Sequence, residues 1–158
     1  MGGYVRTPEQ AVPIELKSDV KLSIDGLVLS IDSTGKGVLT TGAAQPYAVA
    51  LSDTLNSQKF GLTGDKSYDA GGTVGGAKNG QVRIALAPAA VRDDIDFGSE
   101  LIVDATTANA GKVRNYKASD APNTSAGIMA RSRIVGTAAE KIAGNNATAT
   151  HILANVRL

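Results

Sequence analysis

From Asp19 onward, apolar and polar residues alternate with a period of two. Val20, Leu22 and Ile24 alternate with Lys21, Ser23 and Asp25; after Gly26, Leu27, Leu29 and Ile31 alternate with Val28, Ser30 and Asp32. That period predicts half-buried antiparallel strands over 19–25 and 27–32. Residues 33–37 (STGKG) supply turn chemistry, and Val38 opens a return strand. Further strands are predicted at 47–51 (YAVAL), 81–86 (QVRIAL), 101–104, 113–116, 126–130 (AGIMA) and 151–158 (HILANVRL). The one stretch with a helical pattern is 137–143 (TAAEKIA), stopped by Gly144 and Asn145.

Two stretches depart from alternation. Residues 61–80 hold seven glycines. Ordering so many glycines is entropically costly and adds little packing, which predicts a long surface loop. Residues 1–17 contain Pro8 and Pro13 and no lasting period, which disfavours helix and central-strand pairing. They predict an extended arm carrying Tyr4, Val5, Val12, Ile14 and Leu16 as apolar anchors, ahead of a single β domain over 18–158.

The chain repeats itself. The stretch 27–41 (LVLSIDSTGKGVLTT) and the stretch 101–116 (LIVDATTANAGKVRNY) both pass from an apolar strand ending in Asp, through a turn, into a Val-led run. Seventy-two residues separate Asp32 from Asp104, and the same number separate Leu86 from Leu158; Val49 and Ile128 lie 79 apart. These anchors predict pseudo-repeats over about 19–86 and 95–158, with an insertion in the second. One copy is too small to close a core, whereas two together form a small antiparallel barrel or sandwich with at most one short helix.

Composition narrows the function classes. With 158 residues, 16 basic and 15 acidic side chains and a net charge of +1, no strong field favours nucleic acid or an anionic membrane. Aromatics are only 4% of residues and Trp is missing, so the core is built from Val, Ile, Leu and Ala. There are no cysteines, which excludes disulfides, zinc–thiolate sites and thiol nucleophiles. No apolar run approaches the roughly 18 residues needed for a membrane helix. The first ten residues (MGGYVRTPEQ) lack a signal-peptide core, so synthesis in a cytoplasm is expected.

Candidate chemistry is sparse. His151 is the only histidine and opens a strand, where a structural role is the default expectation. Residues 71–78 (GGTVGGAK) match neither phosphate-binding glycine motif, and no helix pattern follows them. Asp93, Asp94, Asp96 and Glu100 cluster in 92–100 (RDDIDFGSE) and could attract a hard cation, but their spacing is not that of a calcium loop. Arg131 and Arg133 are the default exposed basic pair. The sequence thus predicts no catalytic, cofactor-binding or metal-binding residue, and no enzyme. The enzymatic alternative would have to assemble a site from Asp93, Asp94, Asp96 or His151.

The Gly-led strand ending in Asp (GLVLSIDSTGKGV and GSELIVDATTANAGKV), the small-apolar strand after a variable loop (YAVAL, GIMA) and the Arg-plus-aliphatic final strand (VRIAL, NVRL) resemble the head decoration, or capsid cement, proteins of tailed viruses. The resemblance covers about residues 20–158, with the Gly-rich stretch 61–80 and the helical piece near 137–143 as departures. It implies a small β-barrel assembled as a homotrimer, the major capsid protein as partner, and a place on the outer surface of the virion. On this view Tyr4, Val5, Pro8, Val12, Pro13, Ile14 and Leu16 form a capsid-binding arm that adds as a strand to a capsid sheet. The competing expectation is a tail, spike or adhesion module that binds a host glycan or protein through the Gly-rich loop and residues 117–125.

Overall fold

The computed structural model describes residues 11–51, 70–120 and 130–158. Over these residues the chain is mainly β. Ten strands form two five-stranded antiparallel sheets, and helix is confined to short turns such as Ala89–Val91 and Thr107–Asn109. The first sheet has the order β1-β5-β4-β2-β3, with β1 Ala11–Glu15, β2 Val28–Ile31, β3 Gly37–Leu39, β4 Ala48–Ala50 and β5 Thr73–Ala77. The second has the order β6-β10-β9-β7-β8, with β6 Asn79–Ala85, β7 Glu100–Val103, β8 Val113–Asn115, β9 Ile134–Ala138 and β10 His151–Arg157. Adding five to each strand number converts one sheet into the other.

The correspondence extends to single bonds. The Asp32 amide donates to the Lys36 carbonyl at 2.9 Å, and the Asp104 amide donates to that of Lys112 at 2.9 Å. Asp32 Oδ1 accepts from the Thr34 amide at 2.8 Å, and Asp104 Oδ1 from the Thr106 amide at 3.2 Å. Outer strands touch at one parallel bridge in each half, Leu16–Gly37 and Leu86–Val113. A single bridge is not a ladder, so neither sheet closes into a barrel, and the molecule is sandwich-like.

Two apolar clusters fill the halves. Ile14, Leu16, Leu22, Leu27, Leu29, Val74 and their neighbours form one. The other gathers Ile84, Leu101, Val135 and Ile152 of the second half with Val28, Val49, Leu51 and Ala77 of the first. The first sheet is therefore buried on both faces. That explains why Val28, set on the polar face by alternation, is as fully buried as Leu29, while Ile31 is partly exposed.

Several expectations are corrected. Residues 11–16 are not arm: β1 pairs with β5 from Ala11–Ala77 to Glu15–Thr73, and Ile14 and Leu16 are core side chains. Val12 and Pro13 lie on the same strand; Pro13 is tolerated because β1 is outermost and needs no donor on its open side. Tyr4, Val5 and Pro8 lie outside the described residues. Of the expected Gly-rich loop, residues 61–69 lie outside the described residues and Thr73–Ala77 form a strand, in which a Cβ on Gly76 would sit 2.5 Å from Ile14 Cδ1 and 2.8 Å from the Ala48 Cβ. Glycine there admits close packing of β1 and β4.

The helix expected at 137–143 does not form. Thr137 and Ala138 belong to β9, paired with β10, and Ile142 bridges Ile95. Tertiary pairing overrides a short run of helix formers. Residues 20–26 are bends and coil and not a strand, although Leu22 is fully buried. The repeats also begin one strand earlier than predicted, β1–β5 matching β6–β10. The strand expected at 126–130 lies outside the described residues, apart from Ala130.

Candidate functional site

Of the side chains singled out by sequence, His151 and Arg133 reach across the seam between the halves. His151, at the start of β10, reaches back to the bend before β2. Its Nε2 lies 3.1 Å from Asp25 Oδ1 and 3.0 Å from the Asp25 carbonyl oxygen, while Nδ1 lies 3.0 Å from Thr150 Oγ1. Nε2–H donates to Asp25, so in the neutral ring Nδ1 accepts the Thr150 hydroxyl proton. The hydrogen bond donated to the Asp25 carboxylate raises the His151 pKa above its ordinary value of 6.5; burial and Arg83 oppose the shift, and the Asp25 carbonyl and charge reinforce it. Asp25 thus takes Nε2 from across the seam, while Thr150, the residue before His151 on the same half, takes Nδ1.

Around this link the seam carries main-chain contacts. Gly26 adopts φ 77°, and its carbonyl accepts from the Ala85 amide at 2.8 Å. A Cβ there would be 2.7 Å from the Arg83 carbonyl oxygen, so only glycine lets the bend reach β6. Gly111, with φ 73°, sits between β2 and β3: its carbonyl accepts from Val28 at 2.8 Å and its amide donates to the Thr40 carbonyl at 2.8 Å. Arg133 Nη1 donates to the Gly42 carbonyl at 2.8 Å, and Gln45 Nε2 to Ser132 Oγ at 2.6 Å. Arg131 is exposed.

The acidic run is dispersed. Asp93 pairs with Lys117 at 3.1 Å, Asp94 Oδ1 accepts from the Gly144 amide at 2.7 Å, and Asp96 pairs with Lys141 at 3.1 Å. Each carboxylate is committed to a different neighbour, and among the described residues no three His, Asp or Glu side chains gather as a metal would require.

Two structural cations were not singled out by sequence. Arg92 is buried, and its guanidinium donates to the carbonyls of Ala87 (3.0 Å), Ala143 (2.8 Å) and Asn146. Burial lowers its pKa, while the carbonyls supply the partial negative charge that a buried cation needs. Arg114 holds Asp120 through two bonds, 2.7 and 2.6 Å. Burial pushes the Asp120 carboxyl up, but Arg114 and the Lys117 amide outweigh it and hold it below the usual carboxylate range. Nothing in a single sequence separates such arginines from exposed ones.

An open concavity of about 540 Å³ lies on the second sheet, lined by Asn79, Glu100, Ile134, Thr137, Asn155 and Arg157 among others. Among the described residues, none of the predicted arm positions Val12, Pro13, Ile14 and Leu16 lines it. Among the described residues, the Tyr116 hydroxyl oxygen is buried without a hydrogen-bond partner. No protein-family model matches the chain, and no curated protein is similar to it in sequence.

Proposed function

We propose that the chain is a structural virion protein that binds the outer surface of a viral capsid as an oligomer, a trimer in the resemblance, and clamps neighbouring major capsid subunits. The observation that carries this reading is the use of the polar groups at the seam. His151, Asp25, Arg133 and Gln45 all fasten one half to the other. A cement protein needs such a stiff doubled body, because it resists shell expansion as a mechanical tie. Many weak, repeated contacts then give firm attachment through multivalency.

The sequence resemblance supports the reading independently of the fold. β1 supplies a place from which a preceding segment can reach a neighbour: it is the outermost strand of its sheet, and residues 1–10, with Tyr4, Val5 and Pro8, lead directly into it. The adhesion alternative would draw its two tips from residues 61–80, of which Thr73–Ala77 is a strand within the first sheet, and from residues 117–125.

The test is rebinding to capsids stripped of the protein, followed by electron microscopy. Full-length chain should restore regular density on the outer shell, and a chain lacking residues 1–10 should fail to. Absence of any binding by the full-length chain overturns the function; equal binding by both removes the leading segment from it.

A further inference from the structure

The two halves meet head-to-tail. The first half presents its front, where the Gly26 carbonyl receives the Ala85 amide and the Val28 amide donates to Gly111. The second half presents its back, which carries Ala85, Gly111 and His151. A twofold contact would use the same elements twice, with Gly98 meeting the β1 edge at Glu15 and Gly35 meeting Glu100. Instead, a Cβ on Gly98 or Gly35 would meet nothing within 4 Å among the described residues. A head-to-tail contact leaves one front and one back unused.

The unused front belongs to the second half. Gly98 matches Gly26: each has a left-handed φ (78° and 77°) and donates to the equivalent carbonyl, Ala138 at 2.9 Å and Ala50 at 2.8 Å. Phe97 therefore stands where Asp25 stands, and it is 65% exposed. Glu100 matches Val28, since each accepts the amide at the end of its hairpin, from Tyr116 and Thr40. Thr137 and Asn155 match Val49 and Ala77 through their pairing partners. This front includes the concavity described above.

The unused back belongs to the first half. Glu15 matches Ala85, and Pro13 matches Arg83, on the outermost strand β1. Lys17 matches Ala87, since their amides donate to Gly37 (3.0 Å) and Val113 (2.8 Å). Pro13, Glu15 and Lys17 are exposed.

Substitutions on the two free surfaces complement one another. Inside the chain, the charged Asp25 faces His151 and the Arg83 region, and the amides of Val28 and Ala87 both donate to the 111–113 segment, to Gly111 and Val113. On the free pair, apolar Phe97 corresponds to the first and faces the Pro13 position, while acidic Glu100 faces the Lys17 position. Asp25 and Arg83 have become Phe97 and Pro13, Val28 and Ala87 have become Glu100 and Lys17, and His151 has become Thr73. We infer that the free front of one copy docks on the free back of a second copy of this chain, repeating between chains the relation the halves have within one. The polar residues Glu100, Thr137 and Asn155 keep that front soluble until it is covered, as in the capping units of repeat proteins.

This deepens the oligomer part of the proposed function, and its test uses purified chain alone, so either can fail without the other. Sedimentation velocity over a concentration series should show self-association. Phe97→Asp should weaken it by about tenfold or more, the scale of losing one apolar anchor. Glu100→Lys should also weaken it, and adding Lys17→Glu should restore it. The cysteine-free chain permits a direct check: oxidising a mixture of Phe97→Cys and Glu15→Cys chains should give a disulfide joining the two variants. Both positions are exposed, and unchanged circular dichroism melts would confirm intact folding. A monomer throughout, or an oligomer that ignores Phe97→Asp and forms no mixed disulfide, overturns the inference.

Discussion

His151 Nε2 and Asp25 Oδ1 lie 3.1 Å apart although 126 residues separate them, and the contact spans the seam between the two sheets. It is a tie whose charge changes near neutral pH, beside the Arg133 and Gln45 side-chain bonds, the main-chain bonds and the apolar contacts that also join the halves. Its strength should therefore follow the protonation of the ring.

The sign of the pH dependence follows from the raised pKa. A His that gains a carboxylate partner on folding contributes stability in full below its unfolded pKa near 6.5, and loses it as pH rises through the higher folded value. Asp32, Asp93 and Asp120 are held below the usual carboxylate range, so their contributions fade only in acid and leave the neutral window unaffected. The urea midpoint should thus fall between about pH 6 and pH 8. His151→Gln should flatten that slope and cost on the order of 1 kcal/mol at pH 6. A slope that survives the substitution would assign it to another group.

Gly35 and Gly111 are equivalent positions with the same left-handed conformation and different surroundings. Alanine at Gly35 meets open space and should cost only the conformational penalty of about 1–2 kcal/mol. Alanine at Gly111 adds a Cβ 2.9 Å from the Val28 carbonyl oxygen, main chain that cannot step aside without parting the halves. Gly111→Ala should lower the melting temperature clearly more than Gly35→Ala. Equal losses would mean that the loop around Gly111 is not seated between β2 and β3.

How far the sequence revealed this arrangement depended on the kind of signal each element carries. Period-two alternation located β2, β6, β7 and β10, although β2 and β7 are buried on both faces and their alternation did not mark the covered side. β1 and β5 were hidden by the residues that make them work: Pro13 on an open edge, and Gly76 where Ile14 packs closely. The duplication was visible at Asp32 and Asp104, which cap the same hairpin. Its phase was misread because VRIAL and NVRL look alike as neighbours, β6 pairing with β10 along seven residues, and not as equivalents. The seam was not legible at all, since Asp25 and His151 are joined only by folding.

Arg92 tests how much one buried cation organises. Its three carbonyl partners lie on two segments, 87 and 143–146, and without it they lose their donors. Arg92→Met, similar in length and uncharged, should cost about 3 kcal/mol or more, since hydrogen bonds to charged groups are worth ~1.5–3 kcal/mol each. Arg92→Lys keeps the charge but not the planar fork and should recover only part of the loss. Thermal unfolding, at ~2–4 °C per kcal/mol for a chain of this size, resolves both.

Ile14 separates the two accounts of the N-terminal segment. If residues up to 17 formed an arm that orders only on a capsid, trimming Ile14 would leave the isolated protein as stable as before and weaken only its attachment. In the structure Ile14 is 3% exposed, its side chain fills the space above Gly76 and beside Gly37, and it joins the cluster of Leu16, Leu29 and Val74. Ile14→Ala should therefore destabilise the free protein by about 2–5 kcal/mol, the range for emptying a well-packed aliphatic site. Pro13→Ala, one position away on the exposed face of the same strand, should change stability by no more than about 0.5 kcal/mol. Denaturant unfolding of the two variants without any partner is sufficient. A neutral Ile14→Ala would detach β1 from the first sheet, and with it the back surface on which a second copy is inferred to dock.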